Sequence, residues 1–132
     1  MKKRPWFKSL RELYRLTHWL TPSVLSWTEA SLRQLRKDLP AVGLRARAPE
    51  PPDAPAELGG AVALWLRLRR ATCLERSLIL QRWCAARGRQ HDLLIGVGLP
   101  SDGEFVAHAW LEGEDAQGHE ILARVTPSGT LS

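Results

Sequence analysis

The chain has 132 residues and a mass of 14.8 kDa, with 44% hydrophobic and 25% charged residues. These values are typical of one globular domain and exclude a wholly disordered chain. The formal net charge of +5 is unevenly spread, because residues 1–48 carry 11 Lys or Arg against 3 Asp or Glu, whereas residues 49–132 carry 8 against 11. The basic excess therefore belongs to the N-terminal third, and we expect no nucleic-acid binding by the remainder.

The N-terminal region, residues 1–47, is predicted to form two basic amphipathic helices. Leucine and tryptophan recur at helical spacing on either side of Thr21-Pro22, where we expect the first helix to end, and Pro40 is expected to end the second. Three roles fit these helices: packing on the rest of the domain, docking of an acidic peptide or partner protein, and contact with a membrane surface or nucleic acid. The first two are favoured because neither a sustained basic run nor an aromatic stacking pattern occurs.

Neither a secretory signal nor a membrane span is predicted. Charged residues interrupt the apolar ones after the basic start, no small-residue cleavage site follows, and no apolar run approaches the ~18 residues of a membrane span. We therefore expect a cytoplasmic protein without stable membrane insertion. The two cysteines of the chain do not make a disulfide framework.

A proline-rich segment divides the chain into two parts. Residues 48–56 contain four prolines, so they are predicted to be an extended linker rather than a helix or a central strand. Residues 57–132 then form the part of the chain that carries chemistry. This part is predicted to begin with a short apolar helix that ends near Arg69-Arg70.

Cys73 is predicted to open a long helix. Thr72 and Glu75 form the Thr-x-x-Glu pattern of a capping box, and Gly88 is placed to end the helix. A thiol at the first helical position meets unpaired backbone N–H groups and the positive end of the helix dipole, which favours the thiolate. Three arginines that are close in sequence would add to this effect: Arg69, Arg70 and Arg76.

Cys84 follows Cys73 by eleven positions on nearly the same helical face. It lies about 16 Å further along the helix axis, so the two sulfurs share neither a disulfide nor a zinc ion. We predict that Cys84 is a small buried apolar residue. A zinc site built from Cys73, His108 and His119 has suitable donors but no close ligand pair, and there is no Gly-rich phosphate loop, so we expect neither a metal nor a cofactor.

Three strands are predicted after this helix, over residues 92–99, 105–112 and 119–125, with turn residues between them. The architecture is therefore α+β, with a central helix packed on a small antiparallel sheet. His108 lies on the second strand and Glu120 on the third. If these strands pair as a hairpin in an even register, the two side chains share a face, whereas an odd register separates them; the sequence leaves the register open.

A helix-terminal cysteine, a strand histidine and a carboxylate are what a thiol nucleophile requires. The histidine takes the thiol proton, and the acid fixes the tautomer and orientation of the histidine. We assign these roles to Cys73, His108 and Glu120. The backbone N–H of Cys73 is one donor for an oxyanion hole, and the second donor stays unassigned. Three other acids are rival orienting residues: Glu112, Glu114 and Asp115.

The motifs that carry this chemistry are Cys-Leu-Glu-Arg-Ser-Leu at residues 73–78, Leu-Ile-Gly-Val at residues 94–97 and His-Ala-Trp-Leu-Glu at residues 108–112. Together they resemble the transglutaminase-like cysteine proteases of lasso-peptide biosynthesis, in particular the stand-alone protease half of the split maturation system. The resemblance covers about residues 55–125 and implies a papain-like or transglutaminase-like core. Cys73 matches the nucleophile of the family and His108 its base, and Glu120 falls where the third, acidic residue is usually Asp.

The resemblance also implies a function, which is removal of the leader from a ribosomally made precursor peptide. It implies two partners, a separate leader-recognition protein and an ATP-using cyclase. On this interpretation Cys73 attacks the carbonyl at the leader–core junction, His108 protonates the departing amine, and the basic N-terminal helices are candidates for docking. Two alternatives stay open: a transglutaminase-like acyl or amide transferase, and a non-catalytic peptide-binding module in which Cys73 only packs in the core.

Overall fold

The computed structural model describes residues 10–98 and 106–132, with side chains from Thr21 onward. Within these ranges three α-helices precede three β-strands: α1 Leu10–Val42, α2 Gly59–Leu68, α3 Cys73–Ala86, β1 Leu93–Gly98, β2 Val106–Leu111 and β3 Glu120–Val125. Two short 3-10 turns lie at Gly43–Arg45 and Ala56–Leu58. The predicted basic start of the chain, residues 1–9, and the predicted turn between the first two strands lie outside the described residues.

The fold is α+β, as predicted, and the three described strands form one antiparallel sheet. The strand order is β2-β1-β3, so β1 is central. Gly96 of β1 lies opposite His108 of β2, and Val97 of β1 lies opposite Glu120 of β3. The hairpin between the second and third strands, on which the predicted contact between His108 and Glu120 depended, does not form. The reason is that β1, which is apolar on both faces, takes the more buried position between them.

The first helix is continuous, so the predicted break at Thr21-Pro22 is wrong. α1 runs through Pro22 and ends two residues after Pro40. Proline lacks the N–H that would bond the preceding turn, which costs about 3 kcal/mol in a helix interior. Tertiary packing offsets this cost, because one face of α1 beyond Pro22 is buried in the core: Val24, Trp27, Leu32 and Leu35.

One hydrophobic core joins the three helices to the sheet. Each element contributes a fully buried residue: Leu35 of α1, Leu66 of α2, Ile79 of α3 and Leu93 of β1. Burial of these side chains removes apolar area from water, which is the main favourable contribution to folding. Among the helices of the described residues, none combines the length and the apolar character that crossing a membrane requires.

The proline-rich segment is extended, and it is bonded to two helices. From α1, Trp27 donates its indole N–H to the backbone oxygen of Pro49 at 3.0 Å. Arg87, just after α3, donates to the backbone oxygens of Pro52 at 2.7 Å and Ala54 at 3.0 Å. Since the guanidinium of Arg87 also lies 3.8 Å from the ring centroid of Trp83, the segment is held against the C-terminal end of α3.

The start of α3 confirms the predicted capping box. Thr72 accepts a hydrogen bond from the Glu75 backbone N–H at 3.2 Å, and the Glu75 carboxylate accepts one from the Thr72 N–H at 2.9 Å. Two backbone donors at the helix start are thereby satisfied. At the other end, Gly88 has a φ of +79°, a left-handed conformation that glycine adopts without strain. Cys73 is therefore the first residue of α3.

Candidate active site

Two hydrogen bonds fix the direction in which α3 crosses the sheet. Gln81 donates to the backbone oxygens of His91 and Val125, both at 2.9 Å. One turn earlier, Ser77 donates to the backbone oxygen of Ala109 on β2 at 3.3 Å. Cys73 precedes Ser77 by one further turn on the same helical face. The start of α3 therefore lies nearer than its end to the half of β2 that contains His108.

Cys73 has the local environment that the capping box predicts. The residue is half-buried and packs against the core, while its backbone begins α3 directly after the Thr72 cap. The free N–H groups of the first helical turn favour negative charge at this position. Because the Glu75 carboxylate is bonded to the Thr72 N–H, it belongs to the cap and is not available as a base for the thiol.

The arginines around the helix start are mostly paired with carboxylates. Arg69 bonds Glu29 of α1 through two nitrogens, at 2.9 and 3.1 Å. Arg76 bonds Glu114 at 3.0 Å. A paired arginine carries less net charge toward a neighbouring thiol than a free one, so these two contribute less than the sequence predicted.

Arg36 of α1 also reaches the helix start, which sequence reasoning did not anticipate. Its Nε lies 3.3 Å from the Glu75 carboxylate, and its terminal nitrogen donates to the backbone oxygen of Arg69 at 3.2 Å. This contact ties α1 to the element that carries Cys73. No sequence signal marks it, because 39 residues separate the two partners.

His108 lies on the face of the sheet that α3 does not cover. Side chains alternate along a strand, and the core side chains of β2 are its neighbour Ala109 and then Leu111. The His108 ring instead contacts two aromatic rings on its own face. The Trp110 ring stacks on it, with centroids 5.4 Å apart and planes at 14°, and the His119 ring lies 4.9 Å away.

Burial is the main reason why the pKa of His108 is lowered. The charges of His119 and Arg76 lower this pKa further, and Glu114 opposes them. At neutral pH the imidazole is therefore largely uncharged, which is the form that accepts a proton. This protonation state suits the role of base that the sequence assigned to His108.

Glu120 begins β3 and is exposed. A bulge between Ile95 and Gly96 shifts the pairing of β1 with β3, and Glu120 ends opposite Val97 rather than beside His108. Within the described part of the chain, no hydrogen bond joins the His108 ring to Glu120 or to Cys73. The structure therefore leaves the three predicted side chains without a direct link, because α3 and the His108 ring lie on opposite faces of the sheet.

The rival acids have other partners in the structure. Glu112 bonds Arg124 at 3.0 Å, and Asp115 accepts from the Gln117 backbone N–H at 3.0 Å. Glu114 bonds Arg76 and also accepts from the Leu111 backbone N–H at 2.8 Å. Burial alone would raise the pKa of Glu114, but these two hydrogen bonds and the charges of Arg76 and His108 together outweigh it, so the net shift is downward. Glu114 is the rival acid whose charge acts on His108.

Sequence reasoning considered His119 as a zinc donor but did not anticipate its contact with the His108 ring. The sequence of β1, the strand between β2 and β3, does contain a feature that indicates this contact. Gly96 and Gly98 leave room for rings on one face of β1, because a side chain at Gly96 would collide with Trp110 and one at Gly98 would touch His119. Alternate glycines within a strand often mark such a close approach.

Cys84 is half-buried rather than fully buried, and it lines an open groove of about 510 Å³ together with Trp83 and Leu111. Burial raises the pKa of its thiol, so the thiol stays protonated at neutral pH and reacts slowly. No cluster of three or more metal-ligating side chains occurs among the described residues.

Comparison with known proteins identifies one family. The profile of the transglutaminase-like superfamily matches residues 18–127. The match includes most of α1, all of α2 and α3, and the whole sheet, so Cys73 and His108 both lie inside it. No curated protein and no solved structure matches the chain.

Proposed function

Because the chain belongs to the transglutaminase-like superfamily, we propose that it is a cysteine peptidase that removes the leader from a ribosomally made lasso-peptide precursor. The observation that carries the proposal is Cys73 at the first position of a capped helix, inside the region that the family profile matches. The two motifs at residues 73–78 and 108–112 support the choice of substrate class.

The reaction uses two side chains of this chain. The Cys73 thiolate attacks the carbonyl carbon at the leader–core junction, and the backbone N–H of Cys73 donates to the oxyanion that forms. His108, protonated by the thiol, gives this proton to the amine of the core peptide as the peptide bond breaks. Water, deprotonated by His108, then hydrolyses the thioester and frees the leader and Cys73.

This sequence of steps requires the Cys73 thiol and the His108 ring to meet when substrate is bound. His108 lies on β2, an edge strand against which α3 packs. Glu120 as the orienting acid stays a prediction from the sequence. For the Glu120 carboxylate to reach His108, the start of β3 would have to rearrange, because Glu120 lies opposite Val97.

The proposed partners are a leader-recognition protein and a lasso cyclase. The exposed side of α1 presents Arg33 and Lys37, and Arg33 pairs with Glu29 of the same helix at 3.6 Å. Such a surface suits an acidic segment of a partner protein or of the leader. We therefore propose α1 as the docking element of the complex.

Cleavage of a precursor peptide tests the proposed function. The full chain is incubated with the peptide, with and without the recognition protein, and the masses of the products are measured by mass spectrometry. Hydrolysis gives two products whose masses sum to the precursor plus one water, whereas an acyl transferase gives a product joined to an amine. A Cys73→Ala variant that still supports full maturation would favour a non-catalytic peptide-binding module.

A further inference from the structure

We propose that His119 is a positioning residue that holds the His108 imidazole in place, a role that the sequence had assigned to Glu120. The inference rests on the proposed function, because it concerns the base of that reaction. It is drawn from the ring cluster on the face of the sheet opposite α3, in which Trp110 is buried: His108, Trp110 and His119.

The glycines of β1 form the floor of this cluster. At Gly96 an added Cβ would lie 2.8 Å from the Trp110 ring, and at Gly98 it would lie 3.1 Å from the His119 ring. Contacts this close show that both rings lie directly over the strand. The two glycines are therefore what lets a residue of β2 and a residue preceding β3 meet across the central strand.

The His119 ring is itself anchored. Its Nδ1 lies 2.9 Å from the backbone oxygen of Ala116, and its backbone N–H donates to the same oxygen at 3.0 Å. A carbonyl oxygen only accepts, so Nδ1 carries a proton and donates it to the Ala116 oxygen. The tight turn before it, with φ of +53° at Gln117 and +77° at Gly118, fixes where the ring stands.

The His108 ring is held by two neighbours. The centroids of His108 and His119 are 4.9 Å apart with planes at 37°, and Trp110 contacts both rings, at 5.4 and 6.2 Å. Aromatic pairs at such distances attract each other beyond the effect of area burial. These contacts favour the observed orientation of the His108 imidazole.

The charged groups near His108 do not take this role. Glu114 is bonded to Arg76 and to the Leu111 N–H, and both Glu114 and Arg76 act on His108 only through their charge. Glu120 stands opposite Val97. Among the described side chains, His119 is thus the titratable group in ring contact with His108.

Two variants of His119 distinguish the effect of its ring on His108 from the effect of its hydrogen bond to the Ala116 oxygen. His119→Asn keeps a side-chain N–H for the Ala116 oxygen and removes the ring. His119→Phe keeps a ring over Gly98 and removes both the hydrogen bond and the titratable nitrogen. His91→Asn is the matched control, because it makes the same substitution at a histidine outside the ring cluster.

The first measurement is an NMR titration of the full chain without substrate. We expect His119→Asn to weaken the contacts between the His108 and Trp110 rings, whereas His119→Phe preserves them. Both variants should raise the pKa of His108, because the electrostatic effect of His119 that lowers it is removed, and His91→Asn should change neither property. Unaltered ring contacts and titration in His119→Asn overturn the proposal, whether or not the protein cleaves a peptide.

The second measurement is the kinetics of precursor cleavage. We expect kcat of His119→Asn to fall by about 10-fold or more with KM within about twofold of the wild-type value, and His119→Phe to recover most of the loss. Wild-type kcat in His119→Asn overturns the positioning role. Full cleavage by Cys73→Ala overturns the proposed function instead, and the NMR titration then still decides what His119 does to His108.

Discussion

The two ends of α3 present the same side chain in different electrostatic settings. Cys73 and Cys84 lie on nearly the same face of one helix, and both are half-buried. Cys73 stands at the helix start, beside backbone N–H groups that have no acceptor within the helix, whereas burial raises the pKa of Cys84. We therefore expect the two thiols to differ in reactivity because of their positions along the helix.

The largest expected difference between the two cysteines is in catalysis. Cys73→Ala should lower peptide cleavage by roughly 10³-fold or more, because the nucleophile is lost. Cys84→Ala should leave the rate within about twofold, since the variant removes a thiol of the groove that the reaction does not use. The test is the initial rate of cleavage by each variant, and a comparable loss in both variants would mean that packing, not nucleophilicity, explains the effect.

Alkylation compares the two thiols without any substrate. At pH 7 we expect iodoacetamide to modify Cys73 at least about 10-fold faster than Cys84, with rates mapped to each site by mass spectrometry. The raised pKa of Cys84 predicts that its rate increases only as the pH becomes alkaline. Equal rates at both sites between pH 6 and 9 would contradict the comparison.

The capping box should account for part of the difference. Thr72→Ala is expected to lower the free energy of unfolding by about 1 kcal/mol, because it leaves the Glu75 backbone N–H without an acceptor. The same variant should slow alkylation of Cys73 by fraying the first turn, while Thr72→Ser retains the cap and serves as control. Urea denaturation gives the stability, and wild-type stability in Thr72→Ala would show that the cap contributes nothing.

The smallest predicted effect concerns Glu114, whose charge acts on both Cys84 and His108. Its charge raises the pKa of Cys84 and opposes the lowering of the pKa of His108. Glu114→Gln should therefore lower both pKa values, so that the acidic limb of the cleavage rate, where His108 gains its proton, moves to lower pH. Glu112→Gln is the matched control, because Glu112 pairs with Arg124 instead. A shift of either pKa upward in Glu114→Gln would contradict the assignment.

The predictable parts of the fold are those that depend on neighbours in sequence. The capping box requires only Thr72 and Glu75, and the left-handed end of α3 requires only Gly88. The three strands follow from runs of apolar residues bounded by turn residues, and their observed bounds lie within one residue of the predicted ones. The break at Pro22 was wrong because distant core contacts, which a local rule does not include, keep the helix intact.

The sequence by itself determined the type of each element and the position of Cys73 at a helix start, since hydrogen bonds within four residues define both. Only the tertiary structure decided which strand is central, because strand order depends on how much apolar surface each strand buries against α3 and its neighbours. That choice separates Glu120 from His108 and brings His119 to within 4.9 Å of it. Partners of a catalytic side chain are set by the pairing of distant strands, and spacing along the chain does not encode that pairing.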